Sequence, residues 1–185
     1  MMKIVAGKNK GNKLKSPKDL SIRPTSQKVR EALFDIIGRS IEDAYFLDLF
    51  AGTGAVGIEA LSRGAKKAIF IDRELKCIGI IKENLERTKN SQNAEVYKGN
   101  FLSGLKLLSK KKYLLDYIFI DPPYNLGLVN VSLTEISKLP ILKESSIVIV
   151  QHYKKEVIKV NIDNLKLFKQ KSYGECQLSF FAIVI

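Results

Sequence analysis

The chain has no tryptophan, one histidine, two cysteines, five prolines and few acids, with 19 Asp and Glu against 31 Lys and Arg in 185 residues. Each shortage removes a class of chemistry or fold. Cys77 and Cys176 have neither a disulfide framework nor metal-ligand spacing, so both are read as reduced packing residues, and no metal site is expected. The lone His152 reads as a strand-end or surface histidine rather than an acid or base. No apolar run approaches the roughly 20 residues that span a bilayer. The chain opens with lysines interleaved with glycines rather than a signal-type segment, so no membrane partner and a cytoplasmic setting are expected. A hydrophobic content of 45%, with nine Phe and seven Tyr, suffices for one globular domain, expected to be monomeric.

The shortage of acids leaves a net charge of +12. Lysines supply most of it, which by itself could reflect genome composition, so the distribution matters more than the total. Residues 1 to 30 hold nine Lys or Arg against the single acid Asp19. A field concentrated in one segment is the footprint of a polyanion-binding surface. Residues 1–24 are therefore read as a basic N-terminal arm and 25–185 as the core, with Lys8, Lys10, Lys13, Arg23, Thr25 and Arg30 as candidate nucleic-acid contacts.

Two of the five prolines are adjacent, in Asp121-Pro122-Pro123-Tyr124, directly after an apolar strand pattern. Prolines at 122 and 123 lock φ, remove two donors and keep Asp121 out of helical geometry. This is a device for holding a planar amine: its two N–H bonds meet the Asp121 carboxylate and the Pro122 carbonyl while Tyr124 stacks on the ring. Asp121, Pro122 and Tyr124 are the candidate catalytic residues, and Pro123 is a candidate substrate contact.

Residues 3–7 and 12–15 flank a Gly/Asn/Lys-rich turn and read as a hairpin. After Pro24, Thr25 or Ser26 caps a helix with apolar positions Val29, Ala32, Leu33, Ile36 and Ile37, ending near Gly38. Strands follow near 45–50, 67–72, 95–98, 115–120 and 146–151, alternating with helices near 55–63, 74–88, 101–109 and 128–138. Such βα alternation predicts a doubly wound, mostly parallel Rossmann-like α/β sheet. Runs 165–173 and 176–184, joined around Gly174 with no helix between them, are expected to close it as an antiparallel pair.

The first of these strands runs into Ala51-Gly52-Thr53-Gly54-Ala55-Val56-Gly57, a complete G-x-G-x-x-G between strand and helix. Asp72 follows Gly52 by 20 residues, where a carboxylate accepts from ribose hydroxyls, so an adenosine cofactor is indicated. Asp48 lies inside the first strand, just before the loop. A carboxylate there opposes a pyrophosphate but favours the sulfonium and ammonium of S-adenosylmethionine. Asn100 stands at a strand end from which a side chain reaches an adenine amino edge or simply caps a helix.

Taken together these residues resemble the class I S-adenosylmethionine-dependent methyltransferases, and more narrowly the bacterial family that methylates the 2-amino group of one guanine in 16S ribosomal RNA. The resemblance spans nearly the whole chain. It rests on Ile4-Val5-Ala6-Gly7, Arg23-Pro24-Thr25 running through Val29-Arg30-Glu31-Ala32-Leu33-Phe34, Asp48 to Gly54, Gly57 to Gly64, Asp121 to Tyr124, and Tyr173-Gly174. It implies cofactor contacts at Asp48, Phe50, Gly52, Gly54, Asp72 and Asn100, target contacts at Asp121 to Tyr124, and ribosomal RNA held by the basic segment, within the small subunit or an assembly intermediate. Gln151 stands where similar sequences often carry Glu, and Cys176 where Thr is common; neither is expected to touch the chemistry. Rival readings are an amino-group methyltransferase acting on DNA adenine or cytosine, a nicotinamide-dependent oxidoreductase, and a non-catalytic RNA-binding module.

Overall fold

A computed structural model describes residues 2–16 and 25–184. Arg23 lies outside the described residues. The hairpin expected over 3–7 and 12–15 is reduced to β1 (Met2–Lys3) paired antiparallel with β2 (Lys13–Leu14). The reason is local. The N–H groups of Val5 and Ala6 instead both reach the buried Glu59 carboxylate at 2.9 Å, which turns the chain away from the ladder. Gly7 follows at φ +81, with the Ser62 carbonyl where its Cβ would stand. The arm is thus docked on the core, and Ile4 and Leu14 are buried in it.

Helix α1 (Gln27–Ile37) starts at Ser26, whose hydroxyl accepts the Val29 N–H at 3.3 Å, and turns off at Gly38. Its Val29, Leu33, Phe34 and Ile37 recur at three and four residues and face the sheet. The alternating units follow as β3 (Tyr45–Leu49), α2 (Ala55–Ser62), β4 (Lys67–Asp72), α3 (Leu75–Arg87), β5 (Ala94–Lys98), α4 (Phe101–Lys110), β6 (Leu115–Ile120) and α5 (Leu128–Ser137). The tail contributes β7 (Leu142–Tyr153), a short unforeseen β8 (Asn161–Ile162), β9 (Leu165–Tyr173) and β10 (Cys176–Ile183).

These pair in the order β5-β4-β3-β6-β7-β10-β9-β8. The five strands from β5 to β7 are parallel, β10 runs antiparallel between β7 and β9, and β8 adds one edge pairing. Strand alternation sorts the core into two faces. Phe46, Ala68 and Phe70 pack with α1, α2 and α3, whereas Leu47, Leu49, Ile69 and Ile71 pack with α4 and α5. The order reverses between β3 and β6, which places the crevice at their carboxyl ends. Among the described residues no helix is long and apolar enough to cross a membrane.

His152 takes the strand-end place that was one of its two expected settings. It lies at the end of β7 but is fully buried rather than on the surface. Its Nδ1 donates to the Tyr153 carbonyl at 2.9 Å, which leaves Nε2 to accept from the Ser179 hydroxyl at 2.8 Å. Burial pushes its pKa below the ordinary histidine value. The unfolded chain therefore takes the proton first, at about pH 6.5, and stability falls as pH drops below that point. Between pH 7 and 5 the melting temperature of the wild type should decline more steeply than that of His152→Gln; equal slopes would show that this histidine titrates alike in both states.

Candidate active site

The chain leaves β3 through three left-handed residues, Phe50 (φ 64), Gly52 (φ 55) and Gly54 (φ 73). A bulky residue in that region is strained and marks a tightly determined turn. Phe50 is held by packing on Phe101, ring centroids 5.4 Å apart. The Ala51 N–H reaches back to the Ile71 carbonyl at 3.1 Å, and the Thr53 carbonyl accepts from Asn84 Nδ2 at 3.1 Å. Gly57 lets α2 lie close on the sheet, since a Cβ there would meet the Phe70 ring at 2.4 Å.

Three carboxylates converge on this loop. Asp48 is 2% exposed and accepts the Gly57 N–H at 2.9 Å, which ties the strand to the first turn of α2. Burial holds its pKa well above the usual carboxylate range, with the charges of Asp121 and Asp72 adding to the effect. Asp72 accepts the Gly52 N–H at 2.8 Å through Oδ2 and the Glu74 N–H at 2.9 Å through Oδ1. The Cys77 thiol also bonds this carboxylate. Asn100, at the other strand end, caps α4 by accepting the Ser103 N–H at 2.8 Å and remains solvent-exposed.

Asp121 comes to the same edge because Leu49 and Ile120 are register partners across the β3–β6 pair. One residue further, the Asp121 N–H donates to the Leu49 carbonyl at 3.4 Å. The Asp121 carboxylate accepts from the Thr25 hydroxyl at 2.9 Å. Arg30 in turn clamps the Thr25 carbonyl at 2.9 Å and the Lys3 carbonyl at 2.8 Å. Tyr124 is half-buried, and its hydroxyl accepts from Gln151 Nε2 at 3.2 Å and also bonds the Cys176 thiol. Burial, then the nearby Asp121 charge, raises its pKa, so it is neutral at physiological pH. Pro122 is buried and Pro123 exposed at the rim.

A family model described as Conserved hypothetical protein 95 matches residues 2–182. Ribosomal RNA small subunit methyltransferase D of Buchnera aphidicola is 35% identical over 94% of this chain and 89% of its own. The Escherichia coli protein of the same name is 32% identical over 94% and 86%. This chain belongs to that methyltransferase family. The solved structure of the Thermus thermophilus hypothetical protein TTHA0928, 28% identical, covers both chains fully with a TM-score of 0.83. A SAM-dependent methyltransferase from Agrobacterium tumefaciens, 18% identical, shares the fold over 79% of this chain and 50% of its own at a TM-score of 0.61.

Four residues, Arg30, Thr25, Gln151 and Cys176, have roles other than those expected of them. Arg30 cannot grip RNA, because it is 1% exposed and its guanidinium is turned inward onto two carbonyls. Thr25 is likewise buried and serves Asp121 rather than solvent. Gln151 and Cys176, set aside as remote, both bond Tyr124. Lys8, Lys10 and Lys13 do lie exposed on the docked arm. Two supporting residues escaped sequence reasoning. Buried Glu59 anchors the arm, and buried Asn84 joins the loop carbonyl of Thr53 to both the N–H and the carbonyl of Lys15. A charged or amide residue on an otherwise apolar helix face is the signal that was available for each.

Replacing Thr25 by Val removes the donor to Asp121 without changing side-chain volume. The methyl-transfer kcat is expected to fall about tenfold, the equivalent of one hydrogen bond to a charged group. S-adenosylmethionine affinity, read by calorimetry, should stay unchanged, and Thr25→Ser should restore turnover. Full activity in the Val variant would remove Thr25 from the alignment of Asp121.

Proposed function

We propose that this chain transfers a methyl group from S-adenosylmethionine to the exocyclic 2-amino group of a guanine in 16S ribosomal RNA, with the RNA held as free rRNA or within the small subunit. The observation that carries this reading is the bond from the Asp121 N–H to the Leu49 carbonyl, which sets the amine-holding motif against the glycine loop. The loop fits the cofactor electrostatically. Residues 48 to 57 contain no base, and the charges of Asp72 and Asp121 make the potential at the buried Asp48 negative. That field suits a sulfonium and an ammonium and opposes a pyrophosphate. On this reading Asp48, Phe50, Gly52, Gly54, Asp72 and Asn100 surround the cofactor.

When bound, S-adenosylmethionine supplies an electrophilic methyl group. The chain's residues do the rest. A guanine amine is a weak nucleophile because its lone pair is delocalised into the ring. Accepting its two N–H bonds at the Asp121 carboxylate and the Pro122 carbonyl lets the nitrogen pyramidalise, while Tyr124 fixes the ring plane and Pro123 bounds the entrance. Positive charge grows on that nitrogen in the transition state, and Asp121 beside it favours that state over the neutral ground state. The proton then leaves to Asp121 or water. An unpaired nucleotide enters at lower cost than one in a duplex.

The decisive assay compares methyl transfer to 30S subunits, naked ribosomal RNA and duplex DNA, followed by mass mapping of the modified base; labelling confined to DNA refutes the proposal. Asp121→Ala is expected to abolish transfer while sparing cofactor affinity, and near-normal turnover would take Asp121 out of the chemistry. Neutralising Lys8, Lys10 and Lys13 together should weaken RNA binding and flatten its dependence on log salt by about 0.7 to 0.9 per lost phosphate contact. Unchanged binding would place the grip elsewhere.

A further inference from the structure

Beside Tyr124 lies a cavity of about 80 Å³, lined among others by Ser26, Val29, Tyr173, Gln151 and Cys176. Its volume is far below the roughly 300 Å³ of a pocket that takes a whole small ligand, so it suits one edge of a base rather than a complete one. Gln151 is the unusual member of its wall. The residue is 6% exposed, yet its buried Oε1 has no hydrogen-bond partner among the described residues. A buried acceptor left unpaired costs about 1 to 3 kcal/mol and is uncommon in folded proteins.

The amide orientation follows from its neighbours. The single Tyr124 hydroxyl hydrogen is available to the Cys176 sulfur, so the bond with Gln151 is made by the amide N–H as donor at 3.2 Å, and Oε1 is left open. Position points the same way. Val150 is the register partner of Ile120, so Gln151 stands one strand over from Asp121 at the same carboxyl edge. With the amine at Asp121 and the ring on Tyr124, as in the proposed reaction, Gln151 on the neighbouring strand β7 is the side chain offered to the base edge beside the amine. In guanine the atom next to the amino-bearing carbon is N1, which carries a hydrogen; in adenine the ring nitrogens bear none.

We infer that Gln151 reads the target base, its Oε1 accepting the N1–H of guanine. This deepens the proposed reaction and rests on guanine being its target. A purine with a bare N1 would place a lone pair against the Oε1 lone pairs, and discrimination comes from leaving that buried acceptor unmatched. The pairing involves no covalent step. Gln151 is thus a specificity residue, while Asp121 and Pro122 hold the amine for either base type.

The test uses 16S rRNA in which the mapped guanine is replaced, by splinted ligation, with 2-aminopurine, which keeps the amine but has no N1–H. Wild-type kcat/KM should drop about ten- to a hundredfold on that substrate, the range expected when one matched donor is lost to a buried acceptor. Gln151→Met, similar in shape and without an acceptor, should narrow the gap to about threefold or less. Gln151→Glu, which retains an oxygen, should keep it. Calorimetry with S-adenosylmethionine and a thermal melt confirm that each variant is folded. Equal use of both substrates by the wild type overturns this inference alone, as does an undiminished gap in the Met variant. Modification mapped to a base other than guanine overturns both this inference and the proposed function.

Discussion

The bond between the Asp121 N–H and the Leu49 carbonyl joins the two halves of the site, and everything near it depends on the β3–β6 pairing that makes it possible. Those strands are far apart in sequence and adjacent only because the sheet order reverses between them. A slip of one residue in their register would exchange the faces of every side chain, burying Leu49 where Asp48 now meets α2. Parallel pairing with Leu49 opposite Ile120 lets the glycine loop and the proline turn start side by side. The loop then leaves toward α2 on one face of the sheet and the chain after Tyr124 toward α5 on the other, which opens a crevice between them.

The N-terminal segment is wired into this crevice. Glu59 on α2 takes the N–H groups of Val5 and Ala6, and Asn84 on α3 takes the backbone of Lys15 together with the Thr53 carbonyl. Arg30 then bridges Lys3 and Thr25, and Thr25 bonds Asp121. Burial lowers the Arg30 pKa, an effect partly offset by the charges of Glu59 and Glu31, and Glu59 itself pairs with Arg63 at 3.0 Å. What the polar network contributes is placement. A segment that carries exposed lysines is held, through Arg30 and Thr25, at a defined position relative to the Asp121 carboxylate.

Much of this was legible in the residues. The short β-rich run at Tyr45 to Leu49 and the spacing of three to four in α1 predicted the elements to within a few residues, because both are set by local preferences. The glycine loop and Asp121-Pro122-Pro123-Tyr124 were legible for the same reason, since backbone freedom at Gly52 and rigidity at Pro122 act where they stand. Arg30 was misread because an arginine among lysines looks like part of a charge field, and its burial depends on two carbonyls 5 and 27 residues away. Gln151 and Cys176 were discounted because a neutral strand residue carries no charge or spacing signal of its own.

Composition and pattern therefore settled what is local: alternation of strands and helices, a basic first segment, a glycine loop after one strand and a rigid proline turn after another. Packing settled what is shared between distant parts. It turned Thr25 and Arg30 from surface contacts into the support of Asp121, made His152 a core residue, and brought Gln151 to the edge of Tyr124 with one acceptor open. The physical reason is that propensity and spacing act along the chain over one or two turns, whereas burial and hydrogen-bond partners are set by which strands become neighbours across the sheet.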